Sequence, residues 1–295
     1  MFIVKYRKIF YTISGLLVLA SFAVMAIYGL KLGIDFKGGS IIEIEYIENK
    51  PAQEELSNTL ETLGLDASVR PTGENGYIVR MKEITPEEKT SLENALKKFG
   101  THEEKRFDSI GPVLGTEALR KALFSIVLVI IAIILFISYA FRKVSEPISS
   151  WKYGVVAIVA LVHDVIIPTG VFAVLGYFVG YEIDTLFITA LLVVLGFSVH
   201  DTIVVFDRVR ENLRDSFGKK PFEQIVGESI KQTFTRSINT SLTTLLALII
   251  LYFVGGTPTE HFSLVLIIGI IAGTYSSIFI GSPLLVTIEK WQRRK

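Results

Sequence analysis

The stretch Gly196–Asn212 reads GFSVHDTIVVFDRVREN, and it decides how this chain folds. Its first two thirds belong to an apolar run that starts near Leu186 and that includes His200 and Asp201. Such a run is long enough to cross a bilayer, which takes about 20 residues in a helix. A carboxylate within hydrocarbon costs at least about 2.5–3.5 kcal/mol on insertion scales. We therefore expect Asp201 to face a partner group, a water-filled cavity, or both.

Apolar residues dominate the rest of the chain as well. Half of the 295 residues are hydrophobic, and the mean hydropathy is +0.50. A soluble core would not need several separate apolar runs of about 20 residues, so we predict an α-helical integral membrane protein with six transmembrane helices. The predicted spans are Ile9–Leu30, Ala122–Phe141, Gly154–Gly180, Thr185–Phe206, Ile238–Val254 and Phe262–Ile288.

Composition excludes several classes of function. The formal net charge is only +1, so no global field favours binding to nucleic acid. The chain has no cysteine, which excludes disulfides, thiol catalysis and cysteine-ligated metals. It also lacks the GxxxxGKS or GxxxxGKT pattern that cradles nucleotide phosphates. We accordingly predict no catalytic residues, no metal site, no cofactor, and a protein that is not an enzyme.

A polar region between the first and second spans is predicted to form a small folded domain. Its patterns follow the order β-α-β-β-α-β, starting with the alternating strand Ile41–Ile47. Thr85-Pro86-Glu87-Glu88 has the form of a capping box with proline at the first helical position. This order is typical of a ferredoxin-like α+β domain.

The chain is thus predicted to divide into three parts. Residues 1–30 form the N-terminal tail and the first transmembrane helix. Residues 31–117 form the ferredoxin-like domain. Residues 118–295 form a five-helix transmembrane region, with an amphipathic connection at about 208–235.

The orientation follows from the uneven distribution of lysine and arginine. They collect in the N-terminal tail, in the second-to-third and fourth-to-fifth connections and in the C-terminal tail, including Lys143, Arg294 and Lys295. The connections Tyr181–Asp184 and Gly255–His261 carry none. Because basic connections stay in the cytoplasm, we predict that both termini and the amphipathic connection are cytoplasmic and that the domain at 31–117 is extracytoplasmic.

Polar groups recur in three predicted spans at similar depths, counted at about 1.5 Å per residue. Asp164, Asp201 and Arg236 are therefore expected to meet. The residues singled out are His163 and Asp164 in the third span, His200 and Asp201 in the fourth, and Arg236, Ser237, Asn239, Thr240 and Ser241 at the start of the fifth.

Each of these groups has a functional and a structural interpretation. We predict that Asp201 accepts protons, because burial disfavours its charged form whereas a nearby guanidinium favours it. The alternative is a static ion pair that fastens two helices. For Arg236 the alternative is contact with anionic headgroups, and for Asp164 it is a hydrogen bond within the bundle.

Small residues recur every four positions in the last span, at Gly269, Gly273, Ser277 and Gly281. Small residues at this spacing let two helices approach closely. We predict that they serve helix packing.

Several of these stretches are similar to the motifs of a known family. Gly33–Gly39 reads GIDFKGG after the first span, and Arg236–Leu246 reads RSINTSLTTLL in the fifth. Together with Gly196–Asn212 and with His163-Asp164, they resemble the motifs of the SecD/SecF family, in particular its SecF branch, within the RND superfamily. The resemblance covers essentially the whole chain.

The resemblance implies roles for individual residues. Asp201 and Arg236 match the aspartate and arginine implicated in ion transit in the family. We predict Asp164, His200, Asn239 and Thr240 as further members of this ion-coupling proton relay. The family motif after the first helix corresponds to Gly33, Asp35, Gly38 and Gly39.

The resemblance also implies partners. Members of the SecF branch pair with SecD, so that this chain would be half of a twelve-helix RND-type unit. The pair works with SecYEG and the SecA motor in the bacterial cytoplasmic (inner) membrane. It uses the proton-motive force, or sodium in some bacteria, to complete export of an unfolded polypeptide after the ATP-driven stage. Membrane lipid is the remaining expected partner.

Three other functions are compatible with six spans. An RND-type transporter of small amphiphiles would favour a much larger outer region with a substrate cleft. An intramembrane aspartyl protease would carry GxGD before one aspartate, whereas Asp201 follows GFSVH. A purely structural scaffold would leave Asp201 without a purpose.

Overall fold

The computed structural model describes residues 2–47, 50–142, 148–216 and 219–293. Lys143, Arg294 and Lys295, which enter the predicted orientation, lie outside the described residues. The chain forms two compact units. The sheet unit is Leu32–Leu123, and the helical unit is Met1–Lys31 together with Phe124–Lys295.

The described elements are mostly helices, with four strands in the sheet unit. In chain order they are α1 (Phe2–Lys5), α2 (Arg7–Tyr28), α3 (Ile34–Lys37), β1 (Gly39–Tyr46), α4 (Gln53–Thr62), β2 (Ser68–Thr72), β3 (Gly76–Met81), α5 (Pro86–Lys97), β4 (His102–Ile110), α6 (Pro112–Ala140), α7 (Ser150–Phe178), α8 (Thr185–Ser216), α9 (Phe222–Val254), α10 (Thr257–Ser276), a π-turn (Ser277–Gly281) and α11 (Ser282–Gln292).

The predicted six-span membrane architecture is confirmed, because six helices in the described part of the chain are long and apolar enough to cross a membrane. Several helices are longer than the predicted spans. Helix α6 begins at Pro112, ahead of the predicted start at Ala122, and α8 continues to Ser216. The predicted amphipathic helix is the first part of α9 rather than a separate element. Hydropathy reports only the part of a helix that lies in hydrocarbon, whereas the backbone hydrogen bonds continue through polar turns.

The sixth span differs from a uniform α-helix. It is α10, the π-turn and α11 in succession, and in the π-turn the backbone N–H of Ser282 donates to the carbonyl of Ser277, five residues earlier. Single π-turns within α-helices occur frequently at functional sites. The sequence pattern alone did not indicate this turn.

The predicted ferredoxin-like fold is confirmed in the sheet unit. The strand order is β2-β3-β1-β4, and every neighbouring pair is antiparallel. Ile42, Ile44 and Tyr46 alternate along β1 into a core that α4 and α5 cover. The capping box is present, since Thr85 Oγ1 accepts from the backbone of Glu88, whose carboxylate accepts from the backbone N–H of Thr85.

The glycines of the GIDFKGG stretch make a compact junction within the sheet unit. Gly38 ends α3 with φ 76° and ψ 168°, a backbone region that is almost restricted to glycine. A Cβ at Gly38 would lie 2.6 Å from the Cα of Pro112, the first residue of α6. A Cβ at Gly39, where φ is 127°, would lie 2.7 Å from the carbonyl oxygen of Met81. The two glycines thus let α3, β1, β3 and α6 meet.

We expect Gly38→Ala to destabilise the sheet unit, because the new Cβ would add a steric clash to a backbone strain of about 1–3 kcal/mol. Limited proteolysis of the purified chain, read as the rate of cleavage within residues 32–123, measures the effect. Gly64→Ala is the matched control. Gly64 also has a positive φ of 74°, but its Cβ would meet nothing within 4 Å. Equal protection of the two variants would contradict the clash.

Candidate functional site

The carboxylate of Asp164 lies at the centre of the helical unit. Asp164 belongs to α7 and is completely buried. It accepts three hydrogen bonds: from Nδ1 of His163 at 2.8 Å, from Oγ of Ser198 on α8 at 2.5 Å, and from Oγ of Ser276 on α10 at 2.8 Å. A buried carboxylate with several donors is stabilised, since each donor replaces part of the hydration that burial removes. Asp164 therefore ties three helices together.

Small residues on α10 make this arrangement sterically possible. A Cβ at Gly273 would lie 3.0 Å from Cβ of Ser198, and a Cβ at Gly269 would clash with the side chain of Val194. These two glycines hold α10 close to α8, and the approach brings Ser276 within reach of Asp164. The other small residues of the stripe, Ser277 and Gly281, lie in the π-turn.

The π-turn begins directly after Ser276 and is held by hydroxyl groups. Ser277 Oγ donates to the carbonyl of Thr274 at 3.1 Å, and Ser282 Oγ donates to the carbonyl of Ser277 at 2.9 Å. The side chain that binds Asp164 therefore stands where the helical hydrogen-bond pattern changes.

Asp201 lies three residues after Ser198 on α8 and is also buried, with 3% of its surface exposed. Its environment differs from that of Asp164. Within the described part of the chain, Oδ2 of Asp201 has no hydrogen-bond partner, and neither does the buried Oγ of Ser237 on α9. The polar side chains around Asp201 include those of Ser237 and Arg236 on α9 and of the preceding His200.

Arg236, His200 and Asn239 are exposed on the surface of this chain, and Thr240 is half-buried. His200 immediately precedes Asp201 on α8, and Arg236 on α9 forms no ion pair with Asp201 within 4 Å in the described residues. The three donors of Asp164 are His163 on α7, Ser198 on α8 and Ser276 on α10, and none of them lies on α9. Among the described residues, no hydrogen bond or ion pair joins Asp164, Asp201 and Arg236 to one another, and Asp164 contacts α8 at Ser198, about one turn before Asp201.

Sequence reasoning missed Ser198 and Ser276 as partners of Asp164. Ser198 lies inside the quoted stretch GFSVHD, but one serine in an apolar helix carries no signal of its partner. Ser276 directly precedes Ser277 of the stripe of small residues, and the sequence does not distinguish a hydrogen-bond donor from a packing residue at this position. Only the packing of α7, α8 and α10 identifies both.

A separate polar cluster lies at the connection between α7 and α8. The hydroxyl of Tyr181 donates to Oε1 of Glu260 at 2.8 Å, and its ring lies 3.9 Å from that of His261 between centroids. Burial, together with the bond to Glu260, raises the pKa of Tyr181, so it stays protonated as a donor. This cluster fastens the start of α10 to the connection.

The two aspartates are expected to respond differently to amide substitution. Asp164→Asn should lower the thermal midpoint of the purified protein, because an amide offers one acceptor oxygen to three donors and each unsatisfied donor costs about 1–3 kcal/mol. Asp201→Asn should leave the midpoint near the wild-type value, since Oδ2 loses no bond. Thermal unfolding followed by tryptophan fluorescence measures both. A greater loss in Asp201→Asn would contradict this assignment.

The chain matches known protein families and curated relatives over most of its length. Residues 91–291 match the model of the family described as protein export membrane protein SecD/SecF, C-terminal, and residues 23–46 match the SecD/SecF GG motif. A protein translocase subunit SecF from Thermobaculum terrenum is 45% identical over 97% of this chain and 93% of its own length. A protein translocase subunit SecF from Anaerolinea thermophila is 40% identical over 98% of this chain and 94% of its own length.

Solved structures agree with these matches. The crystal structure of SecDF, a translocon-associated membrane protein from Thermus thermophilus, is 31% identical and superposes with a TM-score of 0.85 over 97% of this chain. This chain spans only 38% of that longer chain. SecDF in its super-membrane-facing form is 27% identical, with a TM-score of 0.67.

Proposed function

This chain belongs to the SecD/SecF family of protein-export membrane proteins, and on that premise we propose that it is an accessory subunit of the Sec preprotein translocase. With SecD, it uses the proton-motive force to promote the late, SecA-independent stage of export. The observation that carries this proposal is the buried Asp201, whose Oδ2 lacks a hydrogen-bond partner in the described chain, next to an arginine on the neighbouring helix.

A proton at Asp201 would change the contact between α8 and α9. The deprotonated carboxylate attracts the guanidinium of Arg236, and the protonated form does not. A site with these properties is a two-state element that one proton biases. Moving one charge through 100 mV releases about 2.3 kcal/mol, so two or three protons supply enough free energy to shift a domain against modest contacts.

Asp164 serves this mechanism as a fixed point. Its three donors hold α7, α8 and α10 together in either protonation state of Asp201. Movement is then directed to α9, which carries Arg236 and Ser237. We assign the coupling to Asp201 and Arg236, with His200, Asn239 and Thr240 as further polar members of the proton relay.

The exposed polar residues support a protein partner. His200, Arg236 and Asn239 lie on the surface of membrane-spanning helices, where uncovered polar groups are costly. We infer that SecD covers them and forms the twelve-helix unit, which works with SecYEG and SecA on an exported unfolded polypeptide. A transporter of small amphiphiles would also need a partner, but the family favours export.

Asp201→Asn is expected to abolish gradient-dependent export while leaving assembly with SecD intact, because the amide mimics the protonated carboxylate at nearly constant volume. Proton flux and export into vesicles, compared with and without an imposed gradient, measure the effect. Asp201→Glu should retain partial activity, since the charge moves by about one methylene. Arg236→Lys should be less impaired than Arg236→Ala, because it keeps the charge but loses the planar fork.

If Asp201→Asn assembles and exports at the wild-type, gradient-dependent rate, then Asp201 is not the coupling carboxylate. If it fails to assemble, a static ion pair is the better description. Asp164→Asn serves as the reference for a purely structural role, because it should lower the stability of the protein before any effect on gradient coupling is seen.

We further propose that the protein resides in the bacterial inner membrane with both termini cytoplasmic. Asn94 on α5 is exposed, as is Lys219 between α8 and α9. On this cysteine-free background, Asn94→Cys should react with an impermeant maleimide in intact cells, and Lys219→Cys only after lysis. The opposite labelling pattern would show that the orientation is reversed, with the sheet unit in the cytoplasm.

A further inference from the structure

Two cavities follow one another along one face of α9 in the helical unit. The first has a volume of about 360 Å³ and lies between α1 and the first part of α9. The second, of about 280 Å³, lies between the middle of α9 and the sixth span, next to the π-turn. The α9 residues that line them are Gly227, Ile230, Lys231, Phe234 and Thr235 in the first and Ile238, Ser241, Leu242 and Leu245 in the second.

These positions recur every three or four residues, which places them on one continuous stripe of the helix. Phe2 and Ile3 of α1 border the stripe at one end, and Tyr275 and Phe279 border it at the other. Phe2, Phe234 and Leu242 remain exposed at 68%, 39% and 51%. The stripe is therefore an apolar cleft that is open on its outer side.

The cleft matches the depth of one bilayer leaflet. Helix α9 ends at Val254, and a hydrocarbon core of about 30 Å takes about 20 residues of helix. Counting back from Val254 brings Phe234 to the opposite edge of the core. Leu245 then lies about 16 Å inside, near the midplane, where an acyl chain of that leaflet ends. Lys231, one turn before Phe234, lies at the level of the headgroups.

The headgroup end of the cleft is positively charged. Lys231 is exposed, and it forms no ion pair with any residue that the structure describes. The nearby acidic residues are already used, because Glu223 pairs with Arg7 and Lys290, and Glu228 pairs with Lys220. A cation at this level above an apolar channel is complementary to a lipid phosphate with its acyl chain below.

From this arrangement we infer a binding site for one anionic phospholipid. Its phosphate lies at Lys231, its glycerol region lies between Phe2 and Phe234, and one acyl chain follows Ile238, Leu242 and Leu245. The distal end of the chain contacts Ile278 and Phe279 of the π-turn. The occupant therefore touches the segment that comes directly after Ser276, the donor to Asp164.

The observations favour a lipid over a transmembrane helix of another protein. A helix with its side chains is about 10 Å across, and at the headgroup end Phe2, Ile3 and Val4 of α1 already line the cavity beside α9. A partner helix would also leave Lys231 without an anion in the headgroup region. Occupation by a protein segment is accordingly an outcome that would count against the lipid.

The test is native mass spectrometry of the full chain, purified from membranes with its co-expressed SecD partner and mixed with phosphatidylglycerol or phosphatidylcholine. Wild type should retain phosphatidylglycerol preferentially. Lys231→Gln should reduce that occupancy about fivefold, the effect of one lysine at an anionic surface, and Lys231→Arg should restore it. Leu242→Trp fills the second cavity and should also displace the lipid.

Matched controls separate the site from general effects. Lys219→Gln removes an exposed lysine outside the cleft, and Leu246→Trp adds an indole at an exposed α9 position that lines neither cavity. Both should retain the lipid. Equal retention by Lys231→Gln and Leu242→Trp would overturn the inference, as would equal binding of phosphatidylcholine. A photocrosslinker at position 242 that yields a protein adduct instead of a lipid adduct would also overturn it.

Discussion

The free-energy cost of a charge in hydrocarbon is the constraint on which this structure depends. Asp164 is completely buried, and hydrogen bonds from three donors on α7, α8 and α10 offset the cost of its burial. Removing the carboxylate from water is costly, and the hydrogen bonds offset that cost only if the three helices keep their positions. The same interaction therefore stabilises the ion and specifies how the helices pack.

The close approach of α8 and α10 is a second consequence. Gly269 and Gly273 leave room for Val194 and Ser198, so the helices come near enough for Ser276 to reach Asp164. The π-turn after Ser276 alters the pattern of helix hydrogen bonds at this level. Two hydroxyl-to-carbonyl hydrogen bonds connect the turn to its neighbours, from Ser277 to Thr274 of α10 and from Ser282 of α11 to Ser277. The helix packing and the change in backbone geometry thus both occur next to the carboxylate of Asp164.

Asp201 satisfies the same constraint only in part. It is nearly as buried as Asp164, but its Oδ2 has no hydrogen-bond partner in the described residues. Asp164 meets α8 at Ser198, about one helical turn before Asp201, so two neighbouring carboxylates have opposite environments. Asp164 accepts hydrogen bonds that connect three helices, whereas Asp201 keeps one oxygen without a partner in the described residues, and the proposed coupling is placed at Asp201 for that reason. Ionisable residues within membrane spans often mark ion pathways, which supports the proposal.

The sequence by itself determined the number of spans, the ferredoxin-like order of the sheet unit, its capping box and the family motifs. Each of these depends on local composition or short periodicity, which a linear pattern records directly. The sequence also singled out Asp164, Asp201 and Arg236, because a charged residue in an apolar run can be recognised without knowledge of the tertiary structure. The tertiary structure alone decided that Asp164 and Asp201 differ in their hydrogen bonds, that Ser198 and Ser276 bind Asp164, and that a π-turn comes next in the chain. These features depend on which faces of α7, α8, α9 and α10 meet, and helix rotation is set by packing between segments distant in the chain.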